Sequence, residues 1–545
     1  MKKIAILIVF LNSITFHSQK LNFTQQDSLR GSITENRIWW DLQKYSLSID
    51  VLIENKFISG TNKITYKVLE TSSNLLQIEL QSPMKLMKAT QDQKDLSFKK
   101  NGNIYLIELQ KEQVIDATEE LIIDFEGRPK TTDKAPWEGG FTWTKDSNEI
   151  DFVATSCQGD GASLWWPCKD HPYDEPDNGV ELFYTVPKDL VAVGNGKLID
   201  IALDTIKKTK TYHWKVINPI NNYAVSLSIG NYVSYQKNYK GKAGVLDCDY
   251  YCLKQNFPKA KKQFLQVEKM LDAFEFWFGP YPFYEDSYKI VEVPFLGMEH
   301  QSAVAYGNQY KNGYLGTDLS GTGWGLKFDF IIIHESGHEW FGNNITHKDI
   351  ADMWIHESFT NYSEALYLEQ EFGAIAGKEY IIGLRKNIKN DKPIIGQYNV
   401  NNRGSDDMYY KGANMLHTMR HVIGNDGTWR LMLIGINQSF YHKTVSSKEL
   451  EKYICDYSGI DFSKVFDQYL RTTQIPVFEY EIKRKTLKYR WTNCIENFDM
   501  PMFAYLNKRQ IRLTPSTSWK KLKLPHKITD FVVDDNLYIE SKEVD

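Results

Sequence analysis

Apolar and polar residues alternate along the first half of the chain. In the segment "YSLSIDV", Tyr45, Leu47, Ile49 and Val51 are apolar, and the same period of two recurs in "ITYKV" and "LQIEL". Glycine, asparagine and aspartate separate these runs. Alternation with turn residues between runs is typical of antiparallel strands that bury one face. The pattern predicts an N-terminal antiparallel β-sandwich or saddle-like domain, which we place at residues 19–245.

The period changes near residue 256. Apolar residues then recur at steps of three and four, at Phe264, Val267, Leu271, Phe274 and Phe278. This spacing is the apolar stripe of an amphipathic helix. Helical patterns continue to about residue 473 and include a capping-box match at Ser446 and Glu449. We therefore expect a second, mostly helical domain at residues 246–474.

Alternation returns in the last part of the chain. It involves Phe478, Tyr480 and Ile482, then Leu487, Tyr489 and Trp491. These runs predict a short C-terminal β domain at residues 475–545. The predicted fold class is α+β, with several domains.

The first residues, "MKKIAILIVFLNSITFHSQ", have the layout of a secretory signal peptide. Two lysines precede an apolar run from Ile4 to Leu11, and small and polar residues follow. The run is far below the roughly 20 residues that span a bilayer. An apolar first strand is the alternative, but the adjacent lysines argue against it. We expect residues 1–18 to be removed and the protein to be exported, either to a periplasm or to the medium.

Composition limits the possible partners. The 545 residues are 42% hydrophobic, 14% aromatic and 25% charged, as in a folded protein of several domains. The formal net charge of -4 gives no general attraction to phosphate backbones, so we expect no nucleic acid partner. No segment after the signal peptide is apolar enough to predict a membrane span. The sequence leaves the oligomeric state open.

Six cysteines are too few for a disulfide scaffold of this length. In an exported protein, Cys157 with Cys168, or Cys248 with Cys252, could close a small loop. Metal binding by cysteine is the less favoured alternative, because no CxxC pair occurs.

The segment "HESGHEW" is the strongest signal for chemistry. On a helix, His334 and His338 lie one above the other, so both imidazoles can reach one tetrahedral zinc ion. Glu335 is placed to act as a catalytic base. With 12 histidines and 69 acidic residues in the chain, about 0.03 such patterns are expected by chance. The segment predicts a metal site rather than an ordinary helix.

A hydrolytic zinc site needs a third protein ligand and an open position. The metzincin pattern would require a glycine and a histidine where this chain has Phe341 and Asn344, so that class is excluded. Glu357, in "WIHESFTNYSEAL", lies on the polar stripe of a second predicted helix and is the better candidate. His356 is the alternative ligand.

Three motifs together resemble the aminopeptidase N and leukotriene hydrolase family of zinc peptidases. H-E-x-x-H followed after eighteen residues by E is the first. "FLGMEH" at residues 295–300 resembles the family's G-x-M-E-N motif, and "YYKG" at residues 409–412 is similar to its Y-x-K-G element. The resemblance implies a thermolysin-like catalytic domain at residues 246–474. It implies one zinc ion per chain and peptide substrates with a free N-terminus.

The resemblance also implies roles for individual residues. His334, His338 and Glu357 would bind zinc, and Glu335 would be the general base. Glu299 would hold the α-ammonium group of the substrate, with Gly297 and Met298 of the same motif beside it. Tyr409 would donate a hydrogen bond to the oxyanion. "ATSCQGDGASLWWPCKD" resembles the family segment that contributes to the amine pocket, which indicates Gln158, and Glu364 is a candidate partner for a zinc-bound histidine.

The chain departs from the family pattern at three positions. Leu296 replaces the first glycine of the motif, His300 replaces its asparagine, and Gln158 is an amide rather than an acid. We expect Glu299 to be the main anion for the substrate amine. The sequence after the small β domain leaves no room for the large helical C-terminal domain of many members, so we also expect an open cleft.

Zinc aminopeptidase activity is the favoured hypothesis. An endopeptidase or an epoxide hydrolase on the same site is an alternative within the hydrolases. A non-catalytic peptide-binding module on a peptidase scaffold is the alternative from another class, against which the intact Glu335 and Tyr409 argue.

Overall fold

The computed structural model describes residues 23–524 and 526–544. The predicted signal peptide lies outside these residues. No helix within the described ranges has both the length and the apolar character of a bilayer-crossing helix.

The N-terminal part is mainly β-structure. Its helices and strands are α1 Gln25–Gly31, α2 Glu35–Ile38, β1 Trp40–Leu52, β2 Phe57–Val68, β3 Leu75–Glu79, β4 Lys85–Gln91, β5 Lys94–Asp95, β6 Phe98–Asn101, β7 Ile104–Glu108, β8 Thr118–Gly127, β9 Gly140–Lys145, β10 Asp151–Ser156, β11 Val180–Pro187, β12 Val191–Val193, β13 Lys197–Asp204, β14 Thr209–Val216 and β15 Ser228–Gly230. The predicted alternation is confirmed in β1, where Tyr45, Leu47, Ile49 and Val51 are buried.

Three sheets make up this part. The largest has eight strands in the order β13-β14-β11-β1-β2-β8-β4-β5, and the others have the orders β12-β15-β10-β9 and β3-β7-β6. The large sheet is antiparallel except that β1 and β11 run parallel, with Tyr45 opposite Val180. The sequence does not predict this parallel pair, because the pairing partners are more than a hundred residues apart.

The middle part is the helical one. Its elements are β16 Tyr232–Gly241, β17 Gly244–Leu253, α3 Phe257–Gln263, α4 Gln266–Phe278, β18 Tyr288–Glu292, β19 Gly297–Met298, β20 Val304–Tyr306, α5 Phe330–Gly337, β21 Ile345–His347, α6 Trp354–Phe372, α7 Ala374–Gly383, α8 Tyr410–Ile423, α9 Asp426–Ser439, β22 Lys443–Val445, α10 Ser447–Ser458 and α11 Ser463–Arg471. The predicted stripe is buried along α4. The predicted capping box of Ser446 and Glu449 is present at α10.

A five-stranded sheet lies beside these helices in the order β16-β17-β18-β20-β19. The predicted division between residues 245 and 246 falls inside β17, so the sheet includes residues on both sides of it. Strand β19 is at the edge, paired only with β20, and its other side is free. This edge becomes one wall of the site described below.

The last part contains β23 Val477–Lys483, β24 Thr486–Thr492, β25 Met502–Leu506, β26 Arg509–Leu513, β27 Lys520–Lys523, β28 Phe531–Val533 and β29 Glu540–Glu543. They form two sheets, β27-β24-β23-β29 and β26-β25-β28. Arg385 of the helical part donates to the carbonyl oxygens of Asp535 and Asn536, both at 2.8 Å, which joins the two parts.

All six cysteines are free thiols. The two loop-closing disulfides considered from the sequence are therefore wrong. Cys248 and Cys252 lie four residues apart on β17, which separates their Cα atoms by about 13 Å, too far for a disulfide. No cysteine belongs to a metal-ligand cluster in the part of the chain that the structure describes.

Candidate metal centre and amine pocket

Helix α5 carries the first two predicted ligands. Its N-terminus is capped by Asp329, whose side chain accepts a hydrogen bond from the backbone of Ile331 at 3.1 Å. His334 lies within the helix and His338 lies directly after it. The backbone then leaves the helix at Phe341 and Gly342, with φ of +136° at Gly342. A Cβ atom at Gly342 would lie 3.2 Å from Nδ1 of His338, so glycine permits this close turn.

Helix α6 brings the third ligand beside the first two. Oε2 of Glu357 is 3.8 Å from Nε2 of His334 and 3.4 Å from Nε2 of His338. The three ligand atoms lie within 4.8 Å of one another, and all three residues are buried. His356, the alternative ligand, is not part of this group, because its Nε2 accepts a hydrogen bond from the backbone of His347 at 2.9 Å.

Both histidines are oriented through their other ring nitrogen. Nδ1 of His334 is 2.7 Å from Oε1 of Glu364, and Nδ1 of His338 is 3.0 Å from the carbonyl oxygen of Phe341. Because a carboxylate and a carbonyl accept, each Nδ1 donates, and the Nε2 lone pairs face the shared point. Metal-binding histidines in proteins have this arrangement. Glu364 is thus where the sequence predicts it, and Tyr380 donates to its second oxygen at 2.6 Å.

The donor set fits zinc. Oε2 of Glu357 is buried and has no hydrogen-bond partner, although an unpaired buried carboxylate oxygen is costly. Burial alone would lower the pKa of His338, yet Glu357 and Glu299 raise it overall, so positive charge is favoured here. Two imidazoles and one carboxylate around an open position are the ligands of a hydrolytic zinc site. His334, His338 and Glu357 would hold the ion.

Glu299 lies next to this centre, as the motif predicts. It is 2% exposed, and its Oε1 accepts hydrogen bonds from Nε2 of Gln158 at 2.6 Å and from the hydroxyl of Tyr223 at 3.0 Å. The same Gln158 nitrogen donates to Oε1 of Glu357 at 3.1 Å. The structure therefore brings Gln158 into the site and places it between the amine-pocket carboxylate and the metal-ligand carboxylate.

Glu335 faces the cleft from α5. A Cβ atom at Gly297 would lie 2.9 Å from Oε1 of Glu335 and 2.8 Å from a methyl carbon of Ile331. Glycine at this position thus lets the edge strand β19 lie close to the predicted base. Burial raises the pKa of Glu335 to about 7, while His334 opposes the shift and Glu299 adds to it. A carboxylate with this pKa can both accept and return a proton near neutrality.

Tyr409 completes the arrangement from the segment before α8. Its ring centroid is 6.1 Å from that of His334, and its hydroxyl faces Glu357. Tyr409, Glu299, Glu335, Gly297 and Met298 all line one cavity of about 510 Å³ that also contains the three metal ligands. Every site residue predicted from the sequence therefore lies in or against this cavity.

The departures from the motif have local consequences. Leu296 is half-buried and lines the cavity wall. His300 is buried, burial lowers its pKa to about 3, and its Nε2 has no hydrogen-bond partner. His300 is therefore neutral and makes no side-chain contact to Glu299. Asn343 instead donates to the backbone oxygen of Glu299, at 3.0 Å.

Sequence reasoning missed three contributors to the site. Tyr223, Tyr380 and the carbonyl of Phe341 each fix a functional side chain. None belongs to a recognisable motif, and Tyr223 lies 76 residues before its partner. Only the fold brings these groups together.

Comparison with known proteins agrees with this geometry. Residues 42–223 match the Peptidase M1 N-terminal domain, and residues 263–469 match the Peptidase family M1 domain. The chain is 23% identical over 500 residues to "Probable aminopeptidase 2" of Sulfurisphaera tokodaii, covering 86% of this chain and 59% of that protein. It is 24% identical to "Aminopeptidase N" of Lactobacillus helveticus, covering 80% and 51%. The chain thus spans little more than half the length of these curated relatives.

Among solved structures, an M1 zinc metallopeptidase from Deinococcus radiodurans is similar in fold. A mutant of that enzyme was solved with a bound Tyr-Ser-Ala substrate. It aligns with a TM-score of 0.66 at 18% sequence identity, over 80% of this chain and 95% of that one. Together with the two domain matches, this likeness shows that the chain belongs to the M1 family of peptidases, of which it carries both the N-terminal and the catalytic domain.

Proposed function

We propose that this protein is a zinc-dependent aminopeptidase that removes the first residue of peptides, with one zinc ion per chain held by His334, His338 and Glu357. We also propose that it is exported, because the first eighteen residues have the layout of a signal peptide.

One observation carries the assignment to an aminopeptidase. Glu299 is a buried carboxylate linked to the metal ligand Glu357 through a single amide nitrogen of Gln158. A buried carboxylate needs a cationic partner to offset its desolvation. The protonated amine at the start of a peptide supplies that charge, and its position fixes the first peptide bond at the metal ligands.

The chain's own residues then divide the work. A bound zinc ion would supply Lewis acidity that polarises the scissile carbonyl and lowers the pKa of a coordinated water. Glu335 accepts a proton from the attacking water and returns it to the leaving amine. The Tyr409 hydroxyl donates to the carbonyl oxygen as negative charge develops on it. Losing a donor of this kind costs about 10²- to 10³-fold in kcat.

The test is a pair of peptides that differ only by acetylation of the N-terminus. Release of the first residue from the free peptide, with no cleavage of the acetylated one, is the expected result. Equal cleavage of both would reject the aminopeptidase and favour an endopeptidase. Amino-acid arylamides assayed with and without a chelator provide an independent measure of the same activity.

The Glu335→Gln variant separates catalysis from binding. Because Glu335 is not a metal ligand, we expect zinc content equal to wild type and loss of hydrolysis. Unchanged hydrolysis in this variant would exclude Glu335 as the base. A non-catalytic peptide-binding module would bind peptides without releasing any residue, in wild type and variant alike.

A further inference from the structure

Trp137 is exposed beside the metal-binding cavity. Its side chain is 70% exposed, whereas the tryptophans of both large cores are buried. The backbone at this point is nevertheless held in place, because Ala135 packs in a small apolar cluster with Val293, Phe295 and Met298. A large aromatic side chain on an anchored loop at a cleft is a typical ligand contact.

Trp137 and Leu296 line the metal-binding cavity and also a second groove of about 690 Å³. The groove continues past Leu315 to Lys259 and Lys311. Because the two cavities share two wall residues, a ligand in the first can extend into the second without leaving the surface.

The direction of the substrate follows from the edge strand. The amine pocket is at Glu299, and the base Glu335 faces Gly297, two residues earlier along the strand. The peptide after the cleaved bond therefore runs from Gly297 toward Leu296 and Phe295. From Glu299 to Phe295 is a span of about 13 Å, or four residues of an extended peptide.

Charge differs between the two ends of this path. Glu299, Glu335 and Glu357 make the amine end anionic. At the far end, Glu292 is already satisfied by the backbone of Leu253 at 2.7 Å and by two side chains at 2.6 Å. Lys259 and Lys311 are exposed there, which leaves the groove cationic.

We propose that this second groove, defined by Trp137, Leu296, Leu315, Lys259 and Lys311, binds the part of a peptide that follows the leaving residue. An apolar side chain packs on Trp137, and a carboxylate lies near the two lysines. The carboxylate is either the peptide's own C-terminus or an acidic side chain. The substrates are then peptides of about five or more residues rather than di- and tripeptides. This inference rests on the proposed aminopeptidase function.

Four peptides test it. They are Ala-Ala-Ala, Ala-Ala-Phe-Ala-Ala-Ala with a free C-terminus, the same hexapeptide as an amide, and the amide with glutamate in the last position. We expect kcat/KM to be higher for both carboxylate-bearing hexapeptides than for the tripeptide. If only one of the two gains over the neutral amide, that result identifies the source of the carboxylate, and the proposal holds. Equal kcat/KM for all four peptides overturns it.

Variants locate the effect. Trp137→Ala is expected to lower the hexapeptide-to-tripeptide ratio of kcat/KM by about 3- to 10-fold, mainly through KM, as loss of an aromatic contact does. Trp519→Ala, at an exposed tryptophan 41% accessible in the C-terminal part, is the matched control and should leave the ratio unchanged. Lys259→Ala with Lys311→Ala should abolish the gain from the carboxylate, and Lys262→Ala should not. A ratio unaffected by Trp137→Ala overturns the proposal.

A binding measurement keeps the two proposals apart. If alanine arylamide is not hydrolysed, the aminopeptidase function fails. Calorimetric titration of the same peptides into the Glu335→Gln variant then decides the groove on its own. A lower Kd for the hexapeptides that rises in the Trp137→Ala background supports it, and equal values for all peptides refute it.

Discussion

The contact between the edge strand and α5 yields a quantitative prediction at Gly297. In the Gly297→Ala variant the added methyl group would lie 2.8 Å from a methyl carbon of Ile331 and 2.9 Å from Oε1 of Glu335. Ile331 is buried and β-branched, so it has little freedom to move. Glu335 is the longer side chain with its end in the cavity. We therefore expect Glu335 to be displaced first.

The size of the effect follows from these distances. Overpacking by one methyl group in a close-packed interior costs about 1–3 kcal/mol of folding stability. A displacement of about 1 Å at a catalytic group can cost about 10²-fold in rate. The backbone of Gly297 is not in the left-handed region, so strain does not add to the cost. The activity loss should thus be large, and the stability loss moderate.

The assay combines kcat/KM on an alanine arylamide, zinc content and the midpoint of thermal unfolding. We expect kcat/KM to fall by about 10²-fold with zinc retained. The matched control is Gly427→Ala, at an exposed glycine in the first turn of α9 whose added Cβ meets only one side-chain oxygen, at 3.2 Å. An activity within twofold of wild type in Gly297→Ala would falsify the close contact between strand and base.

Three further outcomes are expected. Tyr380→Phe removes the hydroxyl that donates to Glu364 at 2.6 Å, so the zinc Kd measured by chelator competition should rise about 10- to 100-fold. Chelation should lower the first thermal transition of wild type, because Glu357 is left with a buried, unpaired oxygen, and should have no such effect on Glu357→Ala. Arg37→Met leaves the buried Glu79 without the guanidinium at 2.8 Å and should destabilise the protein by about 3–5 kcal/mol, measured by denaturant unfolding.

Matched controls make these outcomes specific. Tyr367→Phe changes a buried tyrosine that has no hydrogen-bonded hydroxyl among the described contacts near α6, and it should leave the zinc Kd unchanged. Lys452→Ala breaks an exposed ion pair with Asp456 and should cost less than about 0.5 kcal/mol. An equal loss of zinc affinity in both tyrosine variants would contradict the role given to Tyr380.

The metal ligands could be predicted from sequence because their geometry is local. His334 and His338 are neighbours through the helical period alone, and Glu357 lies on a recognisable stripe of the next helix. Gln158 could be reached only through the family resemblance of its segment. Its two hydrogen bonds span 141 and 199 residues of sequence, and no local pattern encodes contacts of that range.

The remainder depended on tertiary structure. The parallel pairing of β1 with β11 leaves no trace in alternation, which is the same for parallel and antiparallel neighbours at a half-buried sheet. The paired cysteines suggested by spacing are wrong, since residues four apart on one strand are fully extended. Trp137 belongs to no motif, and only its exposure beside the cavity distinguishes it.

The amine pocket is shared between two domains. Gln158 and Tyr223, which hold Glu299 in place, come from the N-terminal part, whereas the three metal ligands all come from the helical part. Cleavage chemistry and the choice of chain end are therefore encoded on opposite sides of a domain boundary. Loosening that boundary should erode selectivity for free N-termini while the ion stays bound, so mutations remote from the metal can convert an exact trimming enzyme into an indiscriminate one.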